Sequence, residues 1–175
     1  AGTVDVQVSG NHDGSSEVLH AYELGYRVLP SRQLYVDTAA FYFNYNNLRS
    51  ASAGTPYLDT SSGRPLFIYP LTFSNNAEAH SFGAETVATW QPLDSWRLQA
   101  GYSLLSLQVE ERAPSDSATS NSEGRSPRHQ AVLRSLVDLP CDLELDAFLR
   151  FVDHTSMKSE GADRSVPRYT QLDLR

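Results

Sequence analysis

Strict two-residue alternation, sustained over long runs, is the feature that most constrains this chain. In Leu143–Phe151 the odd positions Leu143, Leu145, Ala147, Leu149 and Phe151 are apolar, while Glu144, Asp146, Phe148 and Arg150 lie between them. Successive side chains of a strand point to opposite faces, so the run has one apolar and one charged face. Trp96, Leu98, Ala100, Tyr102 and Leu104 alternate in the same way with Arg97, Gln99, Gly101 and Ser103. After Leu104 the phase flips to Leu105, Leu107 and Val109, which predicts a bulge or a strand leaving its apolar surroundings. Val18–Val28 sets Tyr22, Leu24 and Tyr26 against Glu23 and Arg27, with His20 interrupting the apolar set. Gln33–Asn47 opposes Leu34 and Val36 to Asp37, then turns aromatic on both faces from Phe41 to Tyr45. Pro65–Trp90, containing Glu85, reads as one very long strand, broken or bulged around Asn75–Ala79. His129–Leu139, with Arg134 and Asp138 on its polar side, and Arg168–Arg175, with Asp173, complete about seven strands.

The connections add a second regularity. Val28–Gln33, Gln91–Ser95 and Leu139–Leu143 are short and carry the Pro, Asp and Ser chemistry of tight turns. Between them lie the polar stretches Leu48–Arg64, Glu111–Pro127 and Asp153–Pro167. Strands of about 10–15 residues exceed the usual globular length of about 5–6. A tilted strand needs about 9–11 residues to cross a bilayer. Long strands, short turns on one side and long loops on the other are the signature of an antiparallel up-and-down transmembrane β-barrel. The short turns would then be periplasmic and the long loops extracellular. Arginine on a lipid-facing position near the bilayer midplane costs roughly 2–4 kcal/mol. Glu23, Arg27, Asp37, Glu85, Arg97, Arg134, Asp138, Glu144, Asp146, Arg150 and Asp173 are therefore expected to face the lumen. Tyr26, Trp90 and Trp96, beside the short turns, would mark the interface. A soluble or surface β-sandwich, acting as a carbohydrate- or protein-binding module, produces the same alternation and stays open at this point.

Composition removes other classes. Seven Phe, nine Tyr and two Trp beside ten Gly and nine Pro favour sheet and turns over helix. No apolar run approaches the ~20 residues of a membrane-spanning helix, and Ala1–Asn11 lacks the pattern of a secretory signal. The net charge is −7, Lys158 is the single lysine, and no basic cluster offers a nucleic-acid surface. One cysteine, Cys141, permits neither an internal disulfide nor a multi-cysteine zinc site, and reads as a free thiol without function.

Several segments taken in order resemble one family. They are Ala21-Tyr-Glu-Leu-Gly-Tyr-Arg27, the Pro-Ser-Arg turn, and Leu34–Tyr45 continuing through Asn46-Asn-Leu-Arg-Ser50. Next come Ser81-Phe-Gly-Ala-Glu-Thr86, Trp90-Gln-Pro92, Trp96–Ser103 and Ser126-Pro-Arg-His-Gln130, followed by Asp142–Asp146, Arg150–Asp153 and Val166–Leu174. The series resembles the C-terminal part of the β-barrel of TonB-dependent outer-membrane receptors. That resemblance implies a Gram-negative-type outer membrane and, when complete, a monomeric 22-stranded barrel with a plugged lumen. It also implies uptake of a scarce large solute, a ferric siderophore or a cobalamin-like metal chelate, coupled through TonB. No counterpart of the plug, the TonB-contacting segment or the last strands is present, so the sequence reads as a piece of a larger unit. Residues 1–15 read as an incoming loop and 16–175 as partial barrel.

No catalytic constellation is found, and no cofactor is expected. His12, His20, His80, His129 and His154 lack metal-ligand spacing. Asn11–Ser16 lacks the acidic ligands of a calcium loop, and Ser50–Thr55 lacks the ending of a phosphate loop. The aromatics of Tyr35–Tyr45 read as girdle or packing residues. The resemblance makes the long loops ligand-facing. Within them and the strand that follows, Arg49, Tyr57, Arg64, Phe67 and Tyr69 are the contact candidates, since anionic chelates favour arginine and aromatic partners. Mean hydropathy is only −0.40, as expected when every second wall residue and all loops are polar.

Overall fold

Extended backbone accounts for every regular element in the computed structural model, which describes residues 3–10, 12, 14–61, 63, 65–111, 124–157 and 164–175. The strands are β1 (Thr3–Ser9), β2 (Val18–Ser31), β3 (Leu34–Ala53), β4 (Tyr57–Asp59), β5 (Leu66–Leu93) and β6 (Trp96–Glu111). They continue with β7 (His129–Leu139), β8 (Leu143–Val152), β9 (Thr155–Met157), β10 (Arg164–Val166) and β11 (Tyr169–Leu174). The seven expected strands correspond to β2, β3, β5, β6, β7, β8 and β11.

Four short strands fall where loops were expected. β1 occupies residues of the supposed incoming loop, because its Val-x-Val-x-Val pattern pairs in parallel with β5, Val4 opposite Phe67 and Val6 opposite Tyr69. β3 runs on to Ala53, and β4 adds a short antiparallel pairing, with Leu58 opposite Phe67. β9 and β10 pair with one another within the third long loop.

Where a break or bulge was expected around Asn75–Ala79, the strand is unbroken from Leu66 to Leu93. Side-chain hydrogen bonds hold its Asn-rich step. The Asn75 amide donates to the Asn47 carbonyl at 2.8 Å, and the Asn76 N–H donates to Ser50 Oγ at 3.2 Å. The facing stretch of β3 contains a left-handed residue, Asn47 with φ 57°, a conformation asparagine tolerates well. The short connections reduce to Arg32–Gln33, Asp94–Ser95 and Pro140–Asp142. In the last, Cys141 (φ 68°) and Asp142 (φ 57°) are both left-handed, and the thiol is exposed.

The described strands fall into two compact units. The first holds β1, β4, residues 44–53 of β3 and residues 66–80 of β5. The second holds residues 21–31 of β2, 34–43 of β3, 81–93 of β5 and 96–107 of β6, together with β7 to β11. Its strands follow the order β11-β8-β7-β6-β5-β3-β2.

Pairing in the second unit sorts side chains by face, because residues directly opposite in an antiparallel pair share a face. One face carries the rows Trp96–Val137–Leu145, Leu98–Ser135–Ala147–Leu174, Ala100–Leu133–Leu149–Leu172 and Tyr102–Ala131–Phe151–Thr170. The other carries Arg97–Leu136–Asp146, Gln99–Arg134–Phe148–Asp173 and Gly101–Val132–Arg150–Gln171. The register runs unbroken to Leu104–His129, and Leu105 N–H still donates to the Arg128 carbonyl. No bulge in this pairing causes the phase flip after Leu104; β6 simply passes the start of β7 there.

The apolar face is open. Leu133, Leu145 and Leu172 are 44%, 46% and 59% exposed, and the buried apolar residues among those described are Ala51, Ile68, Ala77, Ala79 and Val152. A β-sandwich would bury this face against a second sheet. That alternative is set aside.

Candidate functional site

The charged face of the second unit is organised by ion pairs. Arg27 Nε donates to Asp37 Oδ2 at 2.8 Å, and Tyr35 Oη donates to the same oxygen at 3.1 Å. Glu85 and Val87 line the same recess of about 350 Å³. Arg134 donates to Asp146 at 3.2 Å, in a second recess of about 290 Å³ beside Phe148 and Asp173. Arg97 and Arg150 share this face by register. Glu144 lies directly opposite Asp138, and Glu23 is exposed on β2. Exposed pairs of this kind contribute about 0–1 kcal/mol each, so they order the surface more than they stabilise it.

The same parity on β3 sets Phe41 and Phe43 beside Asp37, with ring centroids 5.0 Å apart. Phe41 reaches across to Gly83: a methyl group on that glycine would sit 2.5 Å from Phe41 Cζ and 2.4 Å from the Leu104 carbonyl. The glycine is what admits the ring. Gly101 makes a similar recess of about 250 Å³ opposite Val132.

At the turn end of the apolar face, the Trp90 and Trp96 rings lie 6.4 Å apart, and Trp96 Nε1 donates to Ser135 Oγ at 3.1 Å. Tyr26 is 65% exposed near its own turn. At the loop end, Tyr102 Oη and His129 Nδ1 share a hydrogen bond of 2.7 Å. From Trp96 to Leu104 the strand rises about 27 Å, or about 21 Å in height at the usual tilt, close to the apolar band of about 25 Å in outer-membrane barrels. His129 and Tyr102 therefore form an aromatic–polar pair at that distance from the tryptophans. The place of His129 could have been read from the odd positions of His129–Leu139. Just beyond it, Asp153 accepts hydrogen bonds from the His154 ring at 3.0 Å and from the His154 N–H at 2.8 Å. Those bonds hold its carboxyl below the ordinary carboxylate range.

Arg49, Tyr57, Phe67 and Tyr69, four of the expected ligand contacts, lie in the first unit, which does not gather them into one place. Phe67 and Tyr69 share one face of β5 with Val4, Val6 and Leu58, their rings 5.5 Å apart. Tyr57 lies on the opposite face, opposite Ile68, and its hydroxyl donates to Gln7 Oε1 at 2.9 Å. Arg64 lies outside the described residues, as do Asn11 and Asp13 of the weighed calcium loop. Asp59 accepts the Ser61 N–H at 2.8 Å, and hydrogen bonding from that N–H and then from the Ser61 side chain holds its carboxyl below its ordinary range.

Arg49 occupies a different cavity of about 530 Å³, lined by Gly10, Gly14, Ser15, Glu17, Phe73, Ser74 and Asn75 besides itself. Its guanidinium lies 4.0 Å above the Phe73 ring centroid, and its backbone N–H donates to Glu17 Oε1 at 2.9 Å. Sequence reasoning missed Phe73 and Glu17. Both are brought to Arg49 by pairing across long sequence distance, for which no local signal exists.

An open antiparallel sheet with one apolar face, aromatic residues at both of its ends, and one ion-paired face has the make-up of an outer-membrane β-barrel wall. The chain belongs to the TonB-dependent receptor-like β-barrel family, whose model matches residues 3–175. No curated protein matches it in sequence. Among solved structures it is similar to the FrpB iron transporter from Neisseria meningitidis (F3-3 variant), at 11% identity and a TM-score of 0.68. It is also similar to the siderophore receptor PirA from Acinetobacter baumannii, at 14% identity and a TM-score of 0.67. A third is the pyoverdine outer membrane receptor FpvA from Pseudomonas aeruginosa PAO1 bound to pyoverdine, at 18% identity and a TM-score of 0.60. The alignments cover 95%, 95% and 90% of this chain but only 25%, 26% and 23% of those proteins, so it spans about a quarter of their length. The family is one of transport receptors, and its place is the outer membrane of Gram-negative bacteria.

Proposed function

We propose that this chain supplies wall and outer-loop structure to a receptor that takes up a scarce, large metal chelate, a ferric siderophore above all. The observation that carries this reading is the cavity in which the Arg49 cation rests on Phe73 at the loop end of β3 and β5. Its volume falls within the roughly 300–1,000 Å³ of ligand sites, and a guanidinium on an aromatic ring suits an oxygen-rich chelate. Arg49 is the leading contact. Phe67 and Tyr69 form a second aromatic surface, and Tyr57 and Arg64 remain proposed contacts in the same loop region. The iron and siderophore proteins of similar fold support the solute class; a cobalamin-like chelate is the next candidate. The charged face, read as lumenal, would pack against a plug through which TonB supplies energy, in a barrel that is monomeric when complete.

The test is uptake of radiolabelled iron, presented as a panel of ferric siderophores, by cells whose one siderophore receptor is the complete protein. Saturable uptake that disappears when TonB is deleted is expected. Absence of uptake for every ferric chelate, with the barrel correctly inserted, would overturn the reading.

A further inference from the structure

Polar groups gather where the apolar face ends toward the long loops. His129 lies opposite Leu104, and the Asp153 N–H donates to the His129 carbonyl at 2.9 Å, so the row continues Leu104–His129–Asp153. Tyr169 pairs with Val152, which brings Arg168, one residue earlier, level with Asp153 on the neighbouring segment. The row beneath is Tyr102–Ala131–Phe151–Thr170, and Tyr102 is exposed. The Tyr102 hydroxyl and His129 Nδ1 share a hydrogen bond of 2.7 Å. With the hydroxyl as donor, the neutral imidazole carries its proton on Nε2. Both bonds that Asp153 accepts from His154 fall on Oδ1, so Oδ2 keeps its capacity to accept. Arg168 is exposed and adds a planar fork of N–H donors.

We propose that this patch binds the phosphorylated sugar headgroup of a glycolipid in the outer leaflet. The inference goes beyond the transport reading and rests on the apolar face being the one that meets lipid. Hydrocarbon would leave donors and acceptors of this kind unsatisfied, at considerable cost. About 21 Å above Trp96 they stand instead near the edge of the apolar band, where headgroups begin. Arginine and an imidazole N–H select phosphate oxygens, Arg168 in a two-bond fork and His129 through Nε2. Asp153 would repel a bare phosphate, but its Oδ2 accepts a sugar hydroxyl beside the phosphate. A headgroup carrying both therefore satisfies all three residues. The Tyr102 ring, one row closer to the tryptophans, offers a flat apolar surface beneath the sugar.

The complete receptor is reconstituted into phosphatidylcholine vesicles holding either bis-phosphorylated lipid A or the same glycolipid with both phosphates removed. Glycolipid retained after detergent extraction is counted by native mass spectrometry. The phosphorylated form should be retained about tenfold more, as expected for hydrogen bonds to a charged group. Arg168→Gln should lower its retention about fivefold and leave the dephosphorylated form unchanged. His129→Leu should act in the same direction. Arg97→Gln removes the same charge from the opposite face and should change neither. Heat-modified mobility on gels establishes that each variant folds. Equal retention of the two glycolipids overturns the site, as does an equal loss in the Arg168 and Arg97 variants. Release of the lipid by inorganic phosphate at the concentration of the lipid phosphate also overturns it, since the patch would then hold the free ion. A nitroxide at Leu149 tells failure of the site from failure of the face. If membrane oxygen relaxes it, equal retention removes the site alone; if not, the lipid-facing reading falls as well.

Discussion

Replacing Leu133 by arginine is expected to destabilise the complete folded barrel by about 2–4 kcal/mol, the cost of a cation on the lipid face near the midplane. Leu133 lies in the row Ala100–Leu133–Leu149–Leu172, between the tryptophans at one end and the Tyr102–His129 pair at the other. It is 44% exposed, with nothing in its own sheet to cover it. Water provides that exposure for a soluble protein, and arginine would then cost little. In the wall of an outer-membrane barrel, lipid would provide it. Gln130→Arg is the control, three residues earlier on β7 and on the charged face, in the row Ser103–Gln130–Val152–Tyr169. Its expected cost is below about 1 kcal/mol, the range of exposed surface charges. Reversible denaturant unfolding from lipid vesicles measures both. Equal costs for the two arginines would contradict the assignment of faces.

The second large effect is expected at Gly83. Gly83→Ala places a methyl group 2.4 Å from the Leu104 carbonyl oxygen and 2.5 Å from Phe41 Cζ. The ring could swing aside, but the carbonyl belongs to the paired backbone and could not. Overpacking of this kind costs typically about 1–3 kcal/mol. Gly25→Ala is the comparison, since a methyl group there meets nothing within 4 Å. It should be neutral, or stabilising by roughly 0.5 kcal/mol through the reduced freedom of the unfolded chain. A Gly83→Ala barrel as stable as the Gly25→Ala one would show that Phe41 and Leu104 do not crowd that glycine.

Much of the wall was legible because its information is local. Whether Leu149 or Arg150 shares a face with Leu145 depends only on a period of two within one strand. The short turns then fix which strands are neighbours, and rows such as Leu98–Ser135–Ala147 follow from the register. The first unit was less legible, because its elements depend on distant partners. Val4, Val6 and Val8 form a strand only because the edge of β5 between Leu66 and Thr72 is there to receive them. Asn75 reads as a strand breaker in isolation, yet it lies within β5 and its amide bridges two other segments. Tyr57, Phe67 and Tyr69 cluster in sequence, but parity across β4 and β5 puts the tyrosine of β4 on the other face. Phe73 became part of the site only because the chain returns it to Arg49.

The central claim is that one face of this sheet meets lipid and the other does not. Single spin labels at positions 145 to 150 of the complete receptor in bilayers, with Cys141 and any other native cysteine replaced by serine, test it most directly. Labels at Leu145, Ala147 and Leu149 should be relaxed by oxygen dissolved in the membrane. Those at Asp146, Phe148 and Arg150 should be screened from it, with any residual accessibility toward a water-soluble nickel chelate. A two-residue period in that phase is the predicted result. Uniform accessibility along the strand, or the opposite phase, would contradict it.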